Sequence, residues 1–224
     1  TREECEQLWD DILRAGRSDS VSSHFVGSIV YLEKEIYQVT SQSQLLVIDG
    51  QQRLTTVSLL IAALAQELER AHRHEPIEGF SPQELRRYLV NPEEDGDLHY
   101  KLLLSETDRA TLCAIVRGDE LPRDLSLRIR DNFDFFKEKI AASNGDLTAL
   151  CRGLAKLVLV DIALTRGPDD PQLIFESMNS TGRELSQADL IRNYILMGLE
   201  PGLQTRLYNE QWRPMEKGRS EEHT

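Results

Sequence analysis

Leu45-Leu46-Val47-Ile48-Asp49-Gly50-Gln51-Gln52-Arg53-Leu54-Thr55-Thr56 changes its periodicity at a single aspartate–glycine pair. The four apolar residues before it are too few for a helix, and they follow the polar stretch Ser41-Gln42-Ser43-Gln44, so they read as a short strand. After it, apolar residues at 54, 57, 60, 61, 64, 65 and 68 trace one stripe of a long helix running to about His72. The predicted unit is strand, tight turn at residues 49–53, helix.

Such a junction has a definite chemistry. The first N–H groups of a helix lack intrahelical acceptors, and the helix dipole favours an anion at that end. Gly50 permits close approach or a positive φ. Arg53 supplies a forked donor matched to phosphate oxygens. Gln51 and Gln52 can hydrogen-bond a phosphate, a base or a water, and Thr55 and Thr56 add hydroxyls in the first helical turns. Asp49 can hold Mg²⁺ through water or orient an attacking water. The set resembles a phosphate cradle without the Walker spacing of a P-loop. A purely structural reading stands beside it, with Asp49 as helix cap, Gly50 as turn residue and Arg53 paired with a surface carboxylate.

Working outward, Phe25 to Leu32 predicts another strand, and Leu8, Trp9, Ile12 and Leu13 have helical spacing that ends near Gly16. From residue 76 the reading is mainly helical. Ser81-Pro82 is a helix start, Tyr100 to Leu104 a short strand, Glu106 to Val116 and Leu125 to Ala142 helices. A further short helix leads into Leu157 to Leu164, read as a buried strand, and a helix follows around Pro171 to Met178. The expected fold is α+β: a small mixed sheet carrying the strand–turn–helix unit, packed against a mostly α-helical region. The expected division is 1–75 for the site region, 76–216 for the helical region and 217–224 for a solvated tail.

Composition excludes several functions. Among 224 residues, 38 acidic against 26 basic side chains give a net charge of −12, the opposite of the basic footprint of a free-standing duplex binder. No apolar run approaches the roughly 18 to 20 residues of a membrane helix, and no secretory signal is visible at Thr1-Arg2-Glu3-Glu4. Cys5, Cys113 and Cys151 lie far apart without metal-ligand spacing and read as reduced thiols of a cytoplasmic protein. His24 reads as local structure at the head of the first strand; Trp9 and Trp212 read as core or interface anchors, and Met178, Met197 and Met215 as packing residues.

Val47 to Thr56, with Asp49-Gly50-Gln51-Gln52-Arg53 at its centre, resembles the signature of the DGQQR family, the GmrS-type N-terminal part of GmrSD modification-dependent restriction enzymes and related phage-defence proteins. Phe25 to Val30 looks like that family's strand before the motif, and Tyr100 to Glu120 like its middle segment. Phe175 to Leu185 and Asp189 to Asn193 are similar to its second block. The resemblance implies a ParB/sulfiredoxin-like fold and Mg²⁺-dependent binding and hydrolysis of a nucleoside triphosphate. Asp49, Gln51, Gln52 and Arg53 would be catalytic and Gly50, Thr55 and Thr56 nucleotide-binding, with Asp49 as the Mg²⁺ ligand. The implied module regulates a C-terminal or partner nuclease domain, meets DNA only within the full-length protein, and has no membrane partner. No His-Asn-His constellation is present, so this chain alone is expected to lack nuclease activity. The Tyr-Gln-Arg element with which family members usually open is also absent from this sequence. The competing expectation is a non-catalytic ParB-like domain that senses a ligand or a protein partner.

In the second block, Ser186-Gln187-Ala188-Asp189 fits a capping box, and apolar positions 190, 191, 194, 195 and 199 continue the helix. Asp189, Arg192 and Asn193 then share a face. One reading is local, with Asp189 closing the cap and Arg192 solvated; the other has Asn179, Arg192 or Asn193 contacting the nucleotide or its metal.

Overall fold

The computed structural model describes residues 2–33, 44–71, 75–143, 147–164 and 206. Along the chain these form α1 (Arg2–Arg17), β1 (His24–Glu33), β2 (Leu45–Asp49), α2 (Gln51–Arg70), α3 (Pro82–Arg87), a 3-10 turn (Gly96–His99), α4 (Glu106–Arg117), α5 (Leu127–Ala142), α6 (Thr148–Ala155) and β3 (Leu157–Leu164). The fold class is α+β, with strands in the order β2-β1-β3. Two compact units divide the chain, one from Thr1–Ile29 and Gly50–Ile162, the other from Val30–Asp49 and Ala163–Thr224.

The first unit is built around α2. Its sequence is rich in leucine and alanine, strong helix formers, and Leu59, Leu60, Ala62, Ala63, Leu64, Ala65 and Leu68 are all buried. That is broader than the expected single stripe: Leu54, Val57 and Ile61 are only half-buried, while Ala62 and Ala63 are covered. Alanines at 62, 63 and 65 let neighbouring helices approach on more than one side, so α2 is a central helix rather than a surface one. Phe136 and Ile140 of α5, Leu85 of α3, Leu112 of α4, Leu150 of α6 and Ile12 of α1 complete one core, each no more than 2% exposed. Each such leucine or isoleucine contributes about 1.5–3 kcal/mol by leaving water.

Helix α1 lies against α6 with no side chain between them at two points. A Cβ placed on Gly153 would strike the Ile12 carbonyl oxygen, and one on Gly16 the Ala149 carbonyl oxygen. The end of α1 is held by Lys156, whose ammonium donates to the Ala15 and Ser18 carbonyls at 2.9 and 2.7 Å. These are among the acceptors a helix C-terminus leaves open. Ser81 and Pro82 start α3 as predicted, the Ser81 hydroxyl accepting from Glu84 N–H at 3.2 Å.

In the second unit β1 and β2 pair antiparallel, with Tyr31 opposite Val47, Leu32 opposite Leu46 and Glu33 opposite Leu45. The register shifts between Val30 and Tyr31, leaving Val30 opposite Asp49. Val30 and Leu32 are buried there.

Two expectations need correction. Tyr100 to Leu104 is not a strand: only Tyr100 is bridged, to Val90, although Tyr100, Leu102 and Leu104 pack alternately on the core. The alternation is real, but no neighbouring strand continues the ladder. β3 is a strand but not a buried one. Val158, Leu159 and Val160 are 42%, 37% and 47% exposed, and β3 stands at the end of the strand order. The three cysteines are free, and all three are buried; Trp9 is in the core. Trp212 and the three methionines lie outside the described residues. No helix among the described residues is long and apolar enough to cross a membrane.

Candidate functional site

The strand–turn–helix unit is present, with a tighter turn than expected. β2 ends at Asp49, α2 begins at Gln51, and Gly50 alone makes the turn. Gly50 has φ 94° and ψ 3°, the left-handed region that glycine enters without penalty. It is also the helix N-cap and has no side-chain cap bond, so the reading of Asp49 as the cap is not what the turn adopts. Residues 51–53, expected in the turn, form the first helical turn instead, because one left-handed glycine suffices to redirect the chain.

Gly50 is pressed against β1. A Cβ there would meet the Ser28 carbonyl oxygen at 3.0 Å and the Ile29 Cα at 3.2 Å. The first i→i−4 bond of α2 runs from Leu54 N–H to the Gly50 carbonyl at 3.0 Å. The amides of Gln51, Gln52 and Arg53 therefore precede the helical ladder, at the positive end of a 20-residue helix. The side chains of Gln51 and Gln52 are exposed beside them, and Arg53 is half-buried.

The remaining side chains divide. Thr55 and Thr56 donate their hydroxyls to the Gln51 and Gln52 carbonyls four residues back, at 2.7 and 2.8 Å. Those protons are used within the helix, which leaves each oxygen as an acceptor. Arg53 turns toward β1 and donates through Nη1 to the Ser28 carbonyl. Asp49 is half-buried at the end of β2 and is the sole carboxylate between residues 44 and 56. A single carboxylate suits Mg²⁺ arriving with a nucleotide, since that ion keeps several waters and takes its other ligands from phosphates. Among the described residues no group of three or more histidine, cysteine or acidic side chains is placed to hold a metal by itself.

Asn179, Arg192 and Asn193 lie outside the described residues. His24 has the local role expected of it: its N–H donates to the Lys156 carbonyl at 2.7 Å, and Nε2 stands 3.7 Å from the Asp11 carboxylate. A recess of about 540 Å³ opens elsewhere in the first unit, lined by Gln66, Glu69, Arg70, Arg86, Arg117 and Lys137 among others. Its arginines are engaged with Glu67, Glu69 and Asp119, so it reads as an ion-pair network between helix ends rather than a ligand site.

Sequence reasoning missed Gly27 and Ser28. Gly27 sits inside β1 with φ 130°, and Ser28 lends its carbonyl to Arg53. The available signal was a lone glycine within a strand pattern, a mark of close approach by something else.

Among curated proteins none matches the chain. The family model described as "GmrSD restriction endonuclease, N-terminal domain" matches residues 1–196, which include β1, the Gly50 turn and α2. The chain belongs to the GmrSD restriction endonuclease N-terminal domain family.

Proposed function

We propose that this chain is the nucleoside-triphosphate-binding and -hydrolysing regulatory module of a modification-dependent restriction system. It works in the cytoplasm and controls a nuclease domain that lies outside the chain. The observation that carries this reading is the single-residue turn at Gly50, which sets the amides of Gln51, Gln52 and Arg53 ahead of the first helical bond. Such a helix start accepts phosphate oxygens without further provision. Asp49 would hold, through water, the Mg²⁺ carried by the nucleotide, or orient the attacking water. Gln51 and Gln52 bond the phosphates or the attacking water, and Arg53 adds positive charge. The oxygens of buried Thr55 and half-buried Thr56 serve as acceptors for water or a nucleotide hydroxyl, and Asn179, Arg192 or Asn193 contact the nucleotide or its metal in the same reading. A ParB/sulfiredoxin-like arrangement of the sheet belongs to the same reading. DNA enters only through the whole protein, consistent with a net charge of −12 on this chain.

The test is binding and phosphate release with each of the four ribonucleoside triphosphates and Mg²⁺, on this chain and on the chain joined to its nuclease domain. The proposal expects binding that weakens at least tenfold in Asp49→Ala, and release that the same change abolishes. Binding without release in both forms would make the module a ligand sensor instead. No binding of any nucleotide would remove the site assignment.

A further inference from the structure

Within the first unit, two glycines and one arginine form an arrangement that the five-residue signature alone does not contain. Gly27 lies in the middle of β1, where an ordinary strand residue has φ near −140°; its own φ is 130°. A Cβ on Gly27 would meet Arg53 Nε at 2.9 Å, Cδ at 3.0 Å and Cζ at 3.2 Å. The guanidinium thus covers the space where any other residue would carry its side chain. From there Arg53 Nη1 reaches the Ser28 carbonyl, the same oxygen against which Gly50 is packed. One strand carbonyl therefore locates both the turn and the arginine.

We propose that Gly27 is a positioning residue of the nucleotide site: its bare Cα is the seat on which the Arg53 guanidinium rests, and the seat sets where the site's cation is presented to a nucleotide phosphate. This rests on the reading of residues 49–53 as the nucleotide site. It extends that site to a strand residue that touches no ligand and acts through Arg53. A guanidinium held against backbone on one side loses little further freedom when it meets an anion, so seating raises affinity without a new contact.

The experiment is a double-mutant cycle on the full chain with Gly27→Ala and Arg53→Ala, read by Mg²⁺-GTP and Mg²⁺-ATP affinity. Loss of one charge-assisted contact predicts about tenfold or greater weakening for each single variant. Because Gly27 acts through Arg53, the double variant should be no weaker than Arg53→Ala alone. Losses that multiply, or a Gly27→Ala chain that binds as well as the unmutated one, overturn the proposal. Since alanine at φ 130° is strained in any event, a second measurement avoids that substitution. In the unmutated chain, the Arg53 Nε–H resonance, assigned by its loss in Arg53→Lys, should be slowed in exchange with water relative to the exposed arginines. Exchange as fast as theirs overturns the seat. If the unmutated chain binds neither nucleotide, the functional reading falls and with it the role of Gly27, while the resonance still reports whether the seat exists.

Discussion

Arg86 grips Glu69 with two bonds, Nε and Nη2 each 2.7 Å from a carboxylate oxygen, and passes its third donor, Nη1, to the Val116 carbonyl at 2.6 Å. One side chain of α3 thereby ties the last turn of α2 to the end of α4. The neighbouring Ile115 carbonyl takes Gln66 Nε2 at 2.8 Å, so two carbonyls in the last turn of α4 are satisfied by side chains from outside it.

Arg86→Ala should therefore cost more than a surface ion pair. Loss of the pair and of the cap together predicts about 1–2 kcal/mol. Arg86→Lys should recover only part, because lysine cannot reproduce the fork. Chemical denaturation of the three proteins checks this, and an Arg86→Ala midpoint equal to the parent's would refute it.

The same pair predicts a direction with pH. The hydrogen bond from Arg86, ahead of the opposing cost of burial, holds the Glu69 carboxyl below its ordinary value of 4.5. A carboxyl lowered in the folded state stabilises above its unfolded pKa, and that contribution disappears as pH falls through the folded value. Stability measured from pH 6 down to pH 3 should fall less steeply in Glu69→Gln than in the parent; identical slopes would mean the pair carries no linkage.

Gly153→Ala tests the seam between α1 and α6. The added methyl has nowhere to go, since the atom in its way is the Ile12 backbone oxygen rather than a movable side chain. Overpacking of this kind predicts a loss of about 1–3 kcal/mol, despite alanine's better helix propensity. Gly79→Ala is no neutral control, because its φ is 84°. Ala141→Gly, exposed near the end of α5, is the fitting comparison and should cost about 1 kcal/mol at most.

Much of this was legible in the sequence. The change from an apolar run to a 3.6-residue stripe located β2 and α2 to within three residues, and Ser81-Pro82 located α3, because these signals are local. The single-residue turn was not legible. Whether Asp49 caps the helix or ends the strand depends on Gly50 meeting Ser28 and Ile29, a contact across more than 20 residues of sequence. The direction of Arg53 was hidden for the same reason, since its acceptor is a backbone carbonyl that carries no side-chain signature. The exposure of β3 was misread because a run such as Leu157-Val158-Leu159-Val160 does not say whether a neighbour covers it.

The buried thiols offer an alkaline counterpart. Burial pushes the Cys151 thiol from 9.0 up to about 12 and raises Cys5 and Cys113 as well. A thiol raised on folding favours the native state below the unfolded value, and this contribution is lost as pH climbs from about 9 toward 12. Cys151→Ala should lessen the decline of stability above pH 9. In the native parent at pH 8 all three thiols should react slowly with a disulfide reagent, and rapidly once denatured. Fast native labelling of Cys151 would contradict its burial.

Nucleotide binding should appear as stability, which joins the site to the fold. A ligand held only by the native state stabilises it by RT ln(1 + [L]/Kd), about 2.7 kcal/mol at a hundredfold excess over Kd. Gly50 and Arg53 belong to the unit that carries the helical core, so occupancy at the start of α2 should raise the melting temperature of that core. Mg²⁺ with the bound nucleotide should shift it upward in the parent and in Cys151→Ala, whose substitution lies in α6 away from the turn. In Asp49→Ala the shift should shrink or vanish at the same nucleotide concentration. An equal shift in Asp49→Ala would place the nucleotide elsewhere on the chain. A shift produced by Mg²⁺ alone would show that the ion binds without the phosphates, which a lone carboxylate does not support.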